Sequence, residues 1–266
     1  MSAFTKIKKY LFILPLLWAS VETSYAQGFV SYFEDFIRYS NPYEDTYNYE
    51  KGAEYLTKFK AELKQSLERN FYDAYAQVKE MNAKLIINES PDKKVISIDW
   101  DDMSGGTMRF FDGIYVLQMA DSRYVVKEKY PPCKEDACLN PYTYGIYQVT
   151  NKQSQNIYVF FNVYVGSTAL SSHFVNFASL TERGDLIPVN DIVVEGRQKS
   201  SFISYEMDWT KEVNVNNEVE EEPFLKFDTN GLVIMVPRFD DNGQLLRGSH
   251  KYVFNGQSFE KFIPEE

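Results

Sequence analysis

Residues 97–111 read SIDWDDMSGGTMRFF, and the path of the chain through them decides the fold class. Just upstream, Val95-Ile96-Ser97-Ile98-Asp99-Trp100 alternates apolar and polar residues with the period of a strand. Ile96, Ile98 and Trp100 fall on one face and Asp99 on the other. Gly105 and Gly106 then let the backbone take positive φ before Met108 begins a second strand. A calcium loop would need oxygen ligands spaced D-x-D-x-D-G, and Met103 occupies the third ligand position. A phosphate cradle would need a helix after the glycines, where MRFFDGIYV is strand-like. Trp100, Asp101, Gly105, Gly106 and Thr107 therefore read as a strand end and a turn. No metal and no other cofactor is expected.

The same layout recurs along the chain. Leu85 to Gln118, Gly145 to Leu180 and Phe224 to Phe262 each hold a strand, a tight polar turn, a second strand, a looser loop and a third strand. The tight turns are SPDKK, KQSQN and DTNG, and the loops are DDMSGG, GSTALSS and DDNGQ. Asp-Trp at 99–100 recurs at 208–209 and supports a degenerate antiparallel repeat. The expected fold class is mainly β with N-terminal helices (α+β), built of antiparallel repeated small sheets. Either a partial propeller-like arrangement or a β-sandwich fits. The block NNEVEEEP, 216–223, reads as a solvated loop of like charges.

Before residue 83 the period is helical. Phe29, Tyr32, Phe33, Phe36 and Ile37 make one stripe that ends before Asn41-Pro42. Leu56, Phe59, Leu63, Leu67, Phe71, Ala74 and Val78 make a second, through one helix from about Glu50 to Glu80. At the start of the chain, Lys6, Lys8 and Lys9 precede an apolar run from Tyr10 to Ala19, and Ser24 and Ala26 suit signal peptidase. The run is too short for a membrane span, which needs about 20 apolar residues. The expected organisation is a signal peptide 1–26, a helical segment 27–82 and a β-rich domain 83–266. The expected location is the periplasm, or outside the cell.

Loss of the three leader lysines and Glu22 takes the formal charge from −10 to −12. That balance argues against nucleic acid, whose affinity rests on basic side chains, and against anionic membrane surfaces. Cationic partners are the ones such a field steers inward.

Ser90-Pro91-Asp92-x-Lys94, Trp100-Asp101, Gly105-Gly106-Thr107-Met108 and, near the end, Tyr252-x-Phe254-Asn255-Gly256-x-x-Phe259 together resemble a set of uncharacterised exported bacterial proteins. The resemblance covers roughly residues 85–118 and 224–262. It implies a β-rich exported domain and carries over no functional residue.

Catalytic inventories are sparse. His173 and His250 are the only histidines. Serines flank His173 in LSSHF, yet no G-x-S-x-G elbow accompanies them. Paired carboxylates serve glycosidases, but 38 acidic residues make any pair uninformative. Cys133 and Cys138, in PPCKEDACLNP, have the wrong spacer for a C-x-x-C redox pair and read as a short local disulfide in an oxidising space. That bond would contribute about 2 kcal/mol by chain entropy, stiffening a loop that carries Glu135 and Asp136. In YSNPYEDTYNYEKGAEY, residues 39–55, Tyr43, Tyr47 and Tyr49 alternate with acids and amides. The composition suits a protein interface or sugar platform, and also a linker draped over the body with its rings packed.

The expectation is an exported, non-catalytic periplasmic interaction protein, of the inhibitor or immunity type, whose partner is a cationic, envelope-targeting protein. A glycan- or small-ligand-binding module and a hydrolase with an unrecognised carboxylate site are the alternatives.

Overall fold

The computed structural model describes residues 28–130, 140–212 and 224–263. The expected leader 1–26 and the acidic block 216–223 lie outside the described residues. The chain divides into two compact units, Met1–Ala83 and Lys84–Glu266.

In the first unit, helix α1 covers 28–40, α2 is Tyr49–Arg69 and α3 is Phe71–Glu80. The α1 stripe buries Phe29, Phe33 and Phe36, and the seam of α2 buries Phe59, Leu63 and Leu67. Phe33 meets Phe59 with ring centroids 4.6 Å apart. Gly52 lets the two helices approach, because a Cβ there would stand 2.3 Å from Ser40 Oγ. The single helix expected over 50–80 is broken at Asn70. Its backbone leaves the helical region (φ −143°, ψ 76°), closing α2 with its N–H on Ser66 and opening α3 with its carbonyl to Ala74 N. Across the break the Asn70 side chain donates Nδ2 to the Asp73 carboxylate at 2.6 Å.

The second unit is mainly β, and each expected strand triplet forms an antiparallel meander within one sheet. β1 (Ile86–Glu89), β2 (Val95–Asp101), β3 (Phe111–Gln118) and β4 (Tyr124–Glu128) form the first sheet in chain order. β5 (Tyr142–Thr150), β6 (Asn156–Val165) and β7 (Leu170–Leu180) form the second, where β7 also pairs with β8 (Leu186–Pro188) and β11 (Phe202–Asp208). β9 (Val193–Glu195), β10 (Gln198–Ser200), β12 (Lys226–Asp228), β13 (Val233–Phe239), β14 (Leu245–Phe254) and β15 (Phe259–Phe262) form the third. Its β9–β15 pair is parallel. The second Asp-Trp is not equivalent to the first: Asp208 ends β11 and Trp209 opens the short helix α4 (Trp209–Glu212).

Strand alternation decides how the sheets stack. On the second sheet, Ile146, Tyr158, Phe160 and Ala178 pack with Val95 and Leu117 of the first. Their odd-numbered neighbours Val159, Phe161, Val175 and Phe177 pack with Ile234, Val236, Tyr252 and Phe259 of the third. The second sheet is the middle of a layered stack, so the arrangement is of the sandwich kind rather than radial blades. None of the sheets closes into a barrel. Among the described residues no helix is long and apolar enough to cross a membrane.

Candidate functional site

The first and second sheets do not meet through apolar side chains alone. Val95, Ser97 and Asp99 share the face of β2 turned to the middle sheet, and Ser97 and Asp99 are fully buried. Asp99 sits opposite Gly113 of β3, and Lys129, just past β4, donates its backbone N–H to Gly113 O at 3.0 Å. The Asp99 and Lys129 side chains therefore cross above Gly113. A Cβ there would lie 2.6 Å from Asp99 Oδ1 and 3.1 Å from Lys129 Cδ, so the row needs glycine.

Lys129 Nζ donates to Asp99 Oδ1 at 2.5 Å, Thr143 Oγ1 at 2.7 Å and Ser97 Oγ at 3.0 Å. Ser97 Oγ donates to Asp99 Oδ2 at 2.6 Å, and the Thr143 hydroxyl donates to Asn162 Oδ1 at 2.8 Å. Thr143 and Asn162 are register partners on β5 and β6. The ion pair is sealed, with side-chain exposures of 2% for Lys129 and 0% for Asp99. Burial raises the Asp99 carboxyl and lowers the Lys129 ammonium, each against the pull of the other, so the two groups move toward sharing one proton. Lys129 Nζ also lies 4.9 Å from the Tyr115 ring centre and 5.6 Å from that of Tyr130. Both phenols are pushed up by burial first and by the Asp99 charge second.

An open groove of about 380 Å³ adjoins this cluster, and Lys129, Tyr130, Phe160, Phe174, Pro188 and Phe202 are among the residues that line it. These residues escape a reading of strand alternation, which puts Asp99 opposite the apolar face without showing that this second face is buried too. Two signals were present: glycine inside a strand at Gly113, and Asn162 inside the apolar run YVFFNVYV, residues 158–165.

In the first unit, the turn between α1 and α2 carries the tyrosines singled out by sequence. Tyr43, Tyr47 and Tyr49 are 95%, 50% and 62% exposed. The turn is held by Tyr43 N on Asn41 Oδ1, Tyr47 N on Glu44 O and Asn48 N on Tyr39 O. Next to it, Tyr39 and Tyr55 stack 5.4 Å apart. Arg38 and Lys51 lie over Tyr39, and Lys58 over Tyr55 and Tyr32.

In the loop after β2, Trp100 is buried and Thr107 exposed. Asp101 accepts from Met103 N at 2.8 Å and pairs with Arg109 at 3.1 Å, while Asp102 accepts from Ser104 N at 2.8 Å. Positive φ, expected at the glycines, occurs at Met103 instead. Gly105 is required by close approach, since a Cβ would lie 2.0 Å from Met108 O, and Gly106 has open space around it. The next strand begins at Phe111 rather than Met108, after Arg109 bridges to Val165. Cys133, Glu135, Asp136 and Cys138 lie outside the described residues. His173 is buried with its Nε2 3.1 Å from Ser171 Oγ, and His250 is exposed.

Comparison with family models, with curated proteins and with solved structures finds no match for this chain.

Proposed function

We propose that this protein is exported, loses residues 1–26, and acts without catalysis by binding a cationic protein of the bacterial envelope. The observation that carries the reading is the tip between α1 and α2, where Tyr43, Tyr47 and Tyr49 stand exposed among Glu44, Asp45 and Glu50. Tyrosine offers apolar area with a polar end, and its ring face attracts lysine and arginine. The adjacent rings of Tyr32, Tyr39 and Tyr55 already carry the chain's own cations at 5.0–6.0 Å. The three tip rings have room to take those of a partner. The acidic side chains and the expected overall charge steer such a partner in, an effect weakened by salt at a Debye length of about 8 Å.

The test is affinity capture of basic proteins from an envelope extract, followed by binding kinetics of each at two salt concentrations. Association should slow with salt, and the triple change Tyr43→Ala, Tyr47→Ala, Tyr49→Ala should abolish binding. Recovery of no basic protein, or full affinity in the triple variant, overturns the reading. Mass of the N-terminal peptide of the exported form should place Gln27 first.

A further inference from the structure

We propose that Lys129 and Asp99 become joined by a side-chain amide, an internal covalent crosslink from β2 to the end of β4. Nζ rests 2.5 Å from Oδ1, and both side chains are almost wholly buried. Gly113 supplies the clearance that lets the two side chains meet. Holding an amine beside the carboxyl it is to attack turns a bimolecular step into an intramolecular one and raises the effective concentration of the reactants.

The Ser97 hydroxyl provides the proton path. It accepts from Nζ at 3.0 Å and donates to Asp99 Oδ2 at 2.6 Å, so a proton relayed through it leaves a neutral amine facing a carboxylic acid. Burial favours that neutral pair over the charged one. The Nζ lone pair then forms the bond to Cγ while one carboxyl oxygen departs. Of the three ammonium hydrogens, two leave on that oxygen as water and one stays on the new amide. No oxidant, reductant or co-reactant is consumed. Thr143 N and Oγ1 border the reacting groups, and the groove beside Lys129 gives the released water an exit. Tyr115 and Tyr130 shield the product from hydrolysis.

The experiment is mass spectrometry of the full chain, purified, reduced and denatured, with the N-terminal peptide fixing its first residue. The expected mass is lower than the sequence requires by one water, and digestion should yield a branched peptide linking the segments around Asp99 and Lys129. Lys129→Met should restore the full mass. Ser97→Ala, which keeps both reacting groups, should lower the crosslinked fraction at least tenfold at early times after synthesis. An unmodified wild-type mass with two separate peptides overturns the proposal, and that measurement stands even if a variant fails to fold. Complete crosslinking in Ser97→Ala would overturn the relay.

Discussion

Two glycines and one histidine carry distinct, separable demands at the scale of the residue. Gly113 is needed because Asp99 and Lys129 cross above it, and Gly105 because the loop folds back onto Met108 O. Alanine at either should destabilise by more than about 1 kcal/mol, whereas Gly106→Ala should stay within about 0.5 kcal/mol. Chemical denaturation of the three variants checks the ranking. His173 packs on Tyr205 with ring centres 5.0 Å apart, and its Nδ1 has no hydrogen-bond partner among the described residues. Burial pushes its pKa down to about 4 from the ordinary 6.5. Between those values the unfolded chain binds a proton that the folded one does not. Stability from this group is therefore complete above pH 6.5 and lost as pH falls toward 4. The full difference corresponds to on the order of 3 kcal/mol. Unfolding free energies from pH 4 to 7 should show that slope in the wild type and its loss in His173→Phe.

At the scale of the element, local signals set ends as well as types. Asn48 caps α2 by accepting Lys51 N at 3.0 Å, and Asn48→Ala should cost about 1 kcal/mol. Because Asn48 lies between Tyr47 and Tyr49, the same change should also weaken partner binding, which a binding assay beside the melting curve would separate from stability. The break at Asn70 was not legible, since the apolar seam runs through it without losing phase. The strand triplets were legible because each tight turn is fenced by alternating runs. In β2 the alternation was right, but the burial of its polar face was not: Ser97 and Asp99 look solvent-facing until Lys129, Thr143 and Asn162, brought from distant elements, surround them.

For the β-rich unit as a whole, the middle sheet is common to two cores. Phe160 faces the first sheet and Phe161 the third, and both are buried. Either residue changed to alanine should cost about 3–5 kcal/mol. Since both layers rest on β6, probes placed in either should report one shared transition. Two separated transitions in denaturant would contradict the shared sheet.

Periodicity and turn chemistry are local properties, so the sequence alone determined the helical start, the three β meanders and the tyrosine-rich acidic turn. Which strand faces meet is a matter of long-range register. Only the tertiary structure decided that the sheets stack in layers and that Met103 rather than a glycine takes positive φ. It alone brought Lys129 onto Asp99, 30 residues away in sequence. A charged pair acquires its chemistry from exclusion of water, and that exclusion exists only after the layers have closed over it.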